Sequence, residues 1–213
     1  KEMWTNLLNA CRNGRRTGLG THGLADALAC LGVKYDSEEA EQIVDKIYST
    51  LRNSAYTESV NLATERGAFL AFDWEKEKDN AFIKRLPTAI KKLIKHHGRR
   101  NISILTNAPT GSVSILSQTS SGLEPVFRNS YKRRRKLSHN ETGVEPDFVD
   151  DMGDKWLEYD VFHHNVQEWK DAHLAAVSVP DFFVTSDQID WTRRVAIQAA
   201  IQQNIDHSIS STI

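Results

Sequence analysis

Apolar residues recur with a period near 3.6 in three stretches of this sequence, each with its own start or stop signal. Ala40, Ile43, Val44, Ile47, Tyr48 and Leu51 share one helical face after Asp36-Ser37-Glu38-Glu39, where Asp36 as N-cap and Glu39 three residues on predict a capping box. This helix is expected to continue through Tyr56 and Leu62 and to stop near Gly67. A second amphipathic helix follows Pro87, with Ile90, Leu93 and Ile94 on one face and His96-His97-Gly98 as its exit. A third is predicted over roughly Ser186 to Asn204, with Ile189, Ala196, Ile197, Ala200 and Ile201 on its apolar side. Two β-rich runs, Asn101 to Thr106 and Ser208 to Ile213, complete the pattern. Helices alternating with isolated strands predict an α/β fold with a parallel sheet. With so few strands, the chain is expected to supply part of a sheet or barrel that other sequence completes. The strand-like ending, which has no cap or polar tail, is expected of a piece of a longer polypeptide.

Composition narrows the classes. The 213 residues show no internal repeat or linker and are expected to form one unit, 1–213. At 39% hydrophobic and 26% charged residues, the chain falls outside disordered compositions. No run approaches the ~18 consecutive apolar residues of a membrane span, and Lys1-Glu2-Met3-Trp4 does not begin a signal peptide, so a soluble, non-exported protein with no membrane partner is expected. Lys plus Arg (27) nearly equals Asp plus Glu (28), which leaves no global field to recruit nucleic acid. Cys11 and Cys30 match neither a zinc knuckle nor a Cys-x-x-Cys pair, and they read as two buried thiols in a reducing cytoplasm.

Four features are candidates for chemistry. Gly18-Leu-Gly20-Thr-His-Gly23 has the glycine spacing of a dinucleotide fingerprint, with Glu38 or Glu39 near the ribose-binding distance. Cys11-Arg-Asn-Gly-Arg-Arg16 stands where that fingerprint needs a hydrophobic strand, so a tight turn and close helix packing are expected instead. Ala108, Pro109, Thr110, Gly111, Ser112, Val113 and Ser114 form the better candidate. A strand leads to Pro109, Gly111 lets an anion approach the backbone, and the hydroxyls of Thr110, Ser112 and Ser114 stand beside amides that open a helix. No Gly-Lys-Ser/Thr follows, which argues against a Walker A loop; phosphate binding and a plain Pro-Thr-Gly turn remain the two readings. Tyr131-Lys-Arg-Arg-Arg-Lys136 suggests either a nucleic-acid patch or a solvated segment between elements, balanced by the acidic stretch Glu145 to Asp154, and the solvated segment is the expectation. His96-His97 and His163-His164 lack metal-ligand spacing and are expected to be exposed or hydrogen-bonded.

Five segments in order carry a resemblance: Arg15-Arg-Thr-Gly-Leu-Gly-Thr-His-Gly-Leu-Ala-Asp-Ala-Leu28, Leu31-Gly-Val-Lys-Tyr-Asp-Ser-Glu-Glu-Ala40, Asn107-Ala-Pro-Thr-Gly-Ser-Val-Ser114, Ser120-Ser-Gly-Leu-Glu-Pro-Val-Phe127 and Asp206-His-Ser-Ile-Ser-Ser-Thr-Ile213. Together they resemble the catalytic chain of ribonucleotide reductase, most closely the adenosylcobalamin-dependent class II enzymes. The resemblance implies the later, helix-rich part of a ten-stranded α/β barrel. It further implies that Ala108 to Ser114 holds the phosphates of a ribonucleotide substrate, that Gly18 to Leu28 packs in the barrel wall, and that Glu124 and Pro125 lie near the active site without taking part in the chemistry. By the same resemblance, Tyr131 to Lys136 is a family segment that follows this turn. The Asn-x-Cys-x-Glu finger loop that carries the family's thiyl radical is absent, neither Cys11 nor Cys30 takes its place, and no catalytic residue is assigned. The chain alone is therefore expected to be inactive. The complete enzyme implied would use adenosylcobalamin, the remainder of the barrel and a thiol reductant such as thioredoxin. Two other readings are a class I large chain with a separate metal-bearing radical subunit and a non-catalytic nucleotide- or nucleic-acid-binding module.

Overall fold

The computed structural model describes residues 1–138, 140–176 and 178–212, and it combines helices with a small sheet. In chain order the elements are α1 (Glu2–Gly14), α2 (Leu24–Cys30), α3 (Glu38–Arg66), α4 (Trp74–Glu77), α5 (Ala81–Arg85), α6 (Thr88–His97), α7 (Gly111–Ser117), β1 (Ser130–Lys136), β2 (Phe148–Val149), β3 (Lys155–Phe162), α8 (His164–Ala172) and α9 (Trp191–Gln202).

The predicted long helix is α3, which ends at Gly67 as expected. Its N-cap is Ser37 rather than Asp36: the Ser37 hydroxyl accepts from the Ala40 amide at 3.0 Å, so the cap lies one residue later than the spacing suggested. The helix after Pro87 is α6, closed by Gly98. The third predicted helix is shorter than expected, because Asp190 accepts from the Thr192 amide at 2.8 Å and starts α9 only at Trp191. These three pack together, α3 against both α6 and α9. Val44, Tyr48, Tyr56 and Val60 of α3 meet Ile90 and Ile94 of α6 and Ile197 and Ile201 of α9, with Leu28 of α2 closing the core. A smaller cluster of Ala29, Val166 and Phe183 lies beside it.

The expected parallel sheet does not form among the described residues: the three-stranded sheet is antiparallel, and parallel pairing is limited to single bridges, Leu19 with Leu105 and Asn107 with Ile209. Three extended segments thus lie side by side, with residues 103–107 in the middle. One carboxylate explains why the ladder is interrupted. Asp206 accepts from the amides of Ile104 and Leu105 at 2.9 and 2.8 Å and from the Tyr56 hydroxyl at 2.7 Å, taking donors that a neighbouring strand would otherwise receive. Burial, with the nearby Asp206 charge adding to it, raises the Tyr56 hydroxyl pKa well above its ordinary value, so this tyrosine donates and stays protonated. Upstream, buried Arg99 pairs with both carboxylate oxygens of Glu77 at 2.9 and 3.0 Å and donates to the Ile102 carbonyl at 2.7 Å, which fixes the entry to the segment. Ile213, the last residue of the second β-rich run, lies outside the described residues.

Two further expectations are corrected. Cys11 and Cys30 are both exposed, one on α1, which has no buried residue, and one at the end of α2. Tyr131 to Lys136 is solvated as expected, with every residue exposed, but it is a β-strand and not a segment between elements: β1 pairs antiparallel with β3, and β3 with β2, in the order β1-β3-β2. Register explains how so basic a strand is tolerated. Lys132 and Arg134 stand opposite Asp160 and Glu158, and cross-strand pairs of opposite charge favour pairing. Arg134 reaches Glu158 at 2.7 Å and lies over the Phe148 ring at 4.4 Å, while Arg135 forks onto Glu141 at 2.7 and 2.9 Å.

Replacing Asp206 by Ala would strand two backbone amides and the Tyr56 hydroxyl. We expect a loss of about 3 kcal/mol in urea denaturation, against about 1 kcal/mol for Tyr56→Phe, which removes one donor and leaves the carboxylate its other partners.

Candidate functional site

The middle extended segment leads into the candidate loop. Asn107 is held from both sides: its amide donates to the Ser208 carbonyl at 3.1 Å, its carbonyl accepts from the Ser210 amide at 2.9 Å, and its buried side-chain oxygen accepts from the Thr21 amide at 2.8 Å. Thr110 then adopts a left-handed conformation, with φ at +57°, and caps α7. A β-branched residue is costly there, and its surroundings must hold it in place. The Gly122 amide donates to the Thr110 hydroxyl at 2.8 Å, and that hydroxyl donates to the Pro109 carbonyl at 2.7 Å. Ser121 donates to the same carbonyl at 2.9 Å and lies 3.0 Å from the Ser114 hydroxyl. Gly122 has φ at +54°, and a Cβ there would sit 3.4 Å from the Ala108 carbonyl oxygen, so the turn backs closely onto the loop.

The seven predicted residues divide by role. Ser114 is buried and braces the loop, and the Thr110 hydroxyl is occupied within it. Ala108, Pro109, Gly111, Ser112 and Val113 are exposed. The amides of Gly111, Ser112 and Val113 stand in the first turn of α7, where no helical carbonyl lies four residues back to receive them. Beside the loop is a groove of about 400 Å³, within the ~300–1,000 Å³ range of small-molecule sites. Pro109 and Ser114 of the predicted set line it, joined by the hydroxyls of Thr119, Ser121, Ser210 and Thr212 and by the turn Gly122 to Phe127.

Among the described residues the groove lining contains one carboxylate, Glu124, and its charge is compensated. Glu124 accepts from Arg194 at 2.6 Å, from the Ser211 hydroxyl at 2.9 Å and from the Thr212 amide at 2.5 Å. Partial burial opposes its ionisation, but the Thr212 amide, Arg194 and Ser211 outweigh that penalty and lower its pKa below the ordinary value. Glu124 and Pro125 both line the groove beside the candidate loop.

The glycine-spaced segment does not form a dinucleotide fingerprint. Leu19 belongs to the extended layer, and a Cβ on Gly20 would fall 2.0 Å from the Thr106 carbonyl oxygen, so these glycines permit close approach of two backbones. The residues that follow grip the turn behind the loop. His22 lies 3.0 Å from the Thr119 hydroxyl, the Gly23 amide donates to the Ser120 carbonyl at 3.0 Å, and Asp26 accepts from the Ser120 amide at 2.6 Å. The other Asp26 oxygen is 2.8 Å from Nε2 of His163, the residue between β3 and α8. Burial works against the Asp26 charge, yet the bonds to His163 and to the Ser120 amide outweigh it and lower the carboxyl pKa. Sequence reasoning missed Asp26 as a site-related residue. Its signal was an acidic residue on the otherwise apolar face of α2. Among the described residues no trio of His, Cys, Asp or Glu is placed to hold a metal, and no helix is long and apolar enough to cross a membrane.

Residues 5–213 match the family described as ribonucleotide reductase, barrel domain. The chain belongs to that family. It is 31% identical to the vitamin B12-dependent ribonucleoside-diphosphate reductase of Mycobacterium tuberculosis over 210 residues, 97% of this chain and 27% of that protein. The enzyme of the same description from Thermoplasma acidophilum is 31% identical over 207 residues, 95% of this chain and 25% of its own length. The ribonucleoside-diphosphate reductase large subunit of Danio rerio is 29% identical over 162 residues, 70% of this chain and 20% of that protein. The chain thus spans about a quarter of the length of the two B12-dependent relatives.

The lowered pKa of Glu124 sets a pH dependence. Stability from its ionised form is complete above the ordinary glutamate value of about 4.3 and is lost as pH falls through the lower folded-state value. Urea denaturation between neutral pH and about pH 3 is expected to show this acid loss, and Glu124→Gln is expected to flatten that part of the profile.

Proposed function

We propose that this chain is the substrate-phosphate part of a ribonucleotide reductase catalytic barrel, acting in the conversion of ribonucleotides to 2′-deoxyribonucleotides. The observation that carries the reading is the loop Ala108 to Ser114: in a chain of this family, an extended segment delivers it to a groove of nucleotide size, and a buried turn locks its strained Thr110. The groove wall combines the hydroxyls of Ser114, Thr119, Ser121, Ser210 and Thr212 and a compensated carboxylate with an apolar side formed by Leu123, Pro125, Val126 and Phe127, a lining in which phosphate oxygens would face the hydroxyls. The three parallel segments are then staves of a ten-stranded barrel completed by sequence outside this chain.

The work of these residues is positional. With the di- or triphosphate held by the first-turn amides of α7 and the groove hydroxyls, the ribose can turn only within a narrow range, and tight positioning can supply ~7–11 kcal/mol of a reaction barrier. The thiyl chemistry belongs to a finger-loop cysteine elsewhere in the enzyme. Cys11 and Cys30 stand on helices outside the groove lining.

Adenosylcobalamin is the cofactor this reading implies for the complete enzyme. The B12-dependent relatives align over 95–97% of this chain, against 70% for the Danio rerio large subunit, which favours class II over class I. At about 400 Å³ the groove is too small for a corrin with its side chains; cofactor binding is assigned to the remaining sequence, and no step is derived through it. A thiol reductant such as thioredoxin and a cytoplasmic location belong to the same reading. The basic run carries no nucleic-acid role in it, since Arg134, Arg135 and Lys136 are paired with Glu158, Glu141 and Asp154.

Gly111→Val tests the loop. A Cβ at Gly111 meets nothing within 4 Å, so the fold tolerates it while the side chain intrudes on the space in front of the amides. In the complete reductase we expect ribonucleotide affinity, measured by calorimetry, to fall about tenfold or more with an unchanged melting temperature. Unchanged affinity would remove the assignment.

A further inference from the structure

We infer that Asp26 is a positioning residue for the phosphate loop: through the turn Ser120 to Gly122 it sets the backbone of Thr110, and through His163 it ties that setting to the β1–β3 sheet. This inference rests on the loop reading above and names what holds the loop in shape.

The connection is continuous and short. Asp26 is 7% exposed and Ser120 1% exposed, so water cannot substitute for the bond between them. Both backbone groups of Ser120 are taken by the first turn of α2: the carbonyl by the Gly23 amide at 3.0 Å and the amide by Asp26 at 2.6 Å. The next two residues make the loop contacts, Ser121 to the Pro109 carbonyl at 2.9 Å and Gly122 to the Thr110 hydroxyl at 2.8 Å. One rigid turn is therefore held by Asp26 at one end and holds the strained residue of the loop at the other. The left-handed backbone of β-branched Thr110 is costly, and besides the local bonds of Thr110 to the Pro109 carbonyl and the Ser114 amide, this turn adds a restraint from outside the loop.

The second Asp26 oxygen makes the grip two-sided. His163 Nε2 lies 2.8 Å from it, and the His163 amide donates to the Asn129 carbonyl at 2.9 Å, at the foot of β1. Asp26 thus joins α2, the loop-bracing turn and the sheet at one buried point. A carboxylate suits this place because it accepts from two directions at once. Asparagine would accept from the Ser120 amide with its oxygen but turn an amide nitrogen toward His163.

The test uses the complete reductase with Asp26→Asn, Asp26→Ala, His163→Gln and Gly111→Val, and calorimetry with two probes, a ribonucleoside diphosphate and the matching unphosphorylated ribonucleoside. The expected result is a loss of about tenfold in diphosphate affinity for Asp26→Ala, a smaller loss for Asp26→Asn and for His163→Gln, and unchanged nucleoside affinity in each. The nucleoside probe separates positioning from general damage, since a protein that is merely destabilised loses both ligands together. Should Asp26→Ala fail to fold, Asp26→Asn and His163→Gln carry the same comparison. Equal loss of both ligands, or no loss of either, while Gly111→Val still weakens the diphosphate, would overturn the inference and leave the loop assignment standing. No effect of Gly111→Val would overturn both.

Discussion

The Asp206 carboxylate sits where α3, the middle extended segment and the last extended segment converge, and it does the work of a strand it replaces. Its oxygens receive Tyr56, Ile104 and Leu105, while two residues further along the backbone resumes ordinary parallel pairing at Asn107 and Ile209. A carboxylate that accepts several donors gives a stronger and more directional anchor than single amide bonds, because charge-assisted hydrogen bonds are roughly twice as strong as neutral ones. The loop that follows Asn107 starts from a fixed point for that reason. Remove the anchor, and the groove loses its reference to the helical core.

A second layer of restraint lies on the opposite side of the loop. Thr21, His22, Gly23 and Asp26 contact Asn107, Thr119 and Ser120, so one short stretch of chain grips both the root of the loop and the turn that braces it. Tyr48 extends this layer into the core through its hydrogen bond with Thr21, and burial raises its hydroxyl pKa to about 12. Glycine spacing alone could not reveal this role. The same absence of a Cβ that lets a pyrophosphate approach a backbone also lets another backbone approach it, and at Gly20 the visitor is the Thr106 carbonyl.

The long helices were legible because their apolar faces repeat over many turns, and α3, α6 and α9 stand within a few residues of where the period put them. The caps were less so: Asp36 and Ser37 both suit the start of α3 by residue type, and the Ser37 hydroxyl takes the position, while Asp190 starts α9 later than its period suggested. The sheet was not legible from β1, whose five basic residues read as a solvated run; the information lay 24 and 28 residues downstream, in the Glu158 and Asp160 partners of Arg134 and Lys132 that only the register reveals. The loop Ala108 to Ser114 could be found because Pro109 and Gly111 punctuate it. The bond between Asp26 and the Ser120 amide behind it could not, since that link joins residues 94 positions apart.

The groove's chemistry explains why so much buried structure surrounds an exposed loop. Among the described residues its lining contains no lysine or arginine, and its one carboxylate is compensated by Arg194. On the proposed reading, an anion at the loop would be met by the first-turn amides of α7 and by hydroxyls beside them, each a weak donor whose value depends on already pointing the right way. Preorganised dipoles cost no reorganisation when charge arrives, whereas mobile ones lose much of their benefit in being ordered. A site built from point charges tolerates some looseness, because Coulomb attraction falls slowly with distance. A site built from neutral donors does not, and it must place its rigidity behind the loop, where Asp26, Ser120 and Gly122 stand.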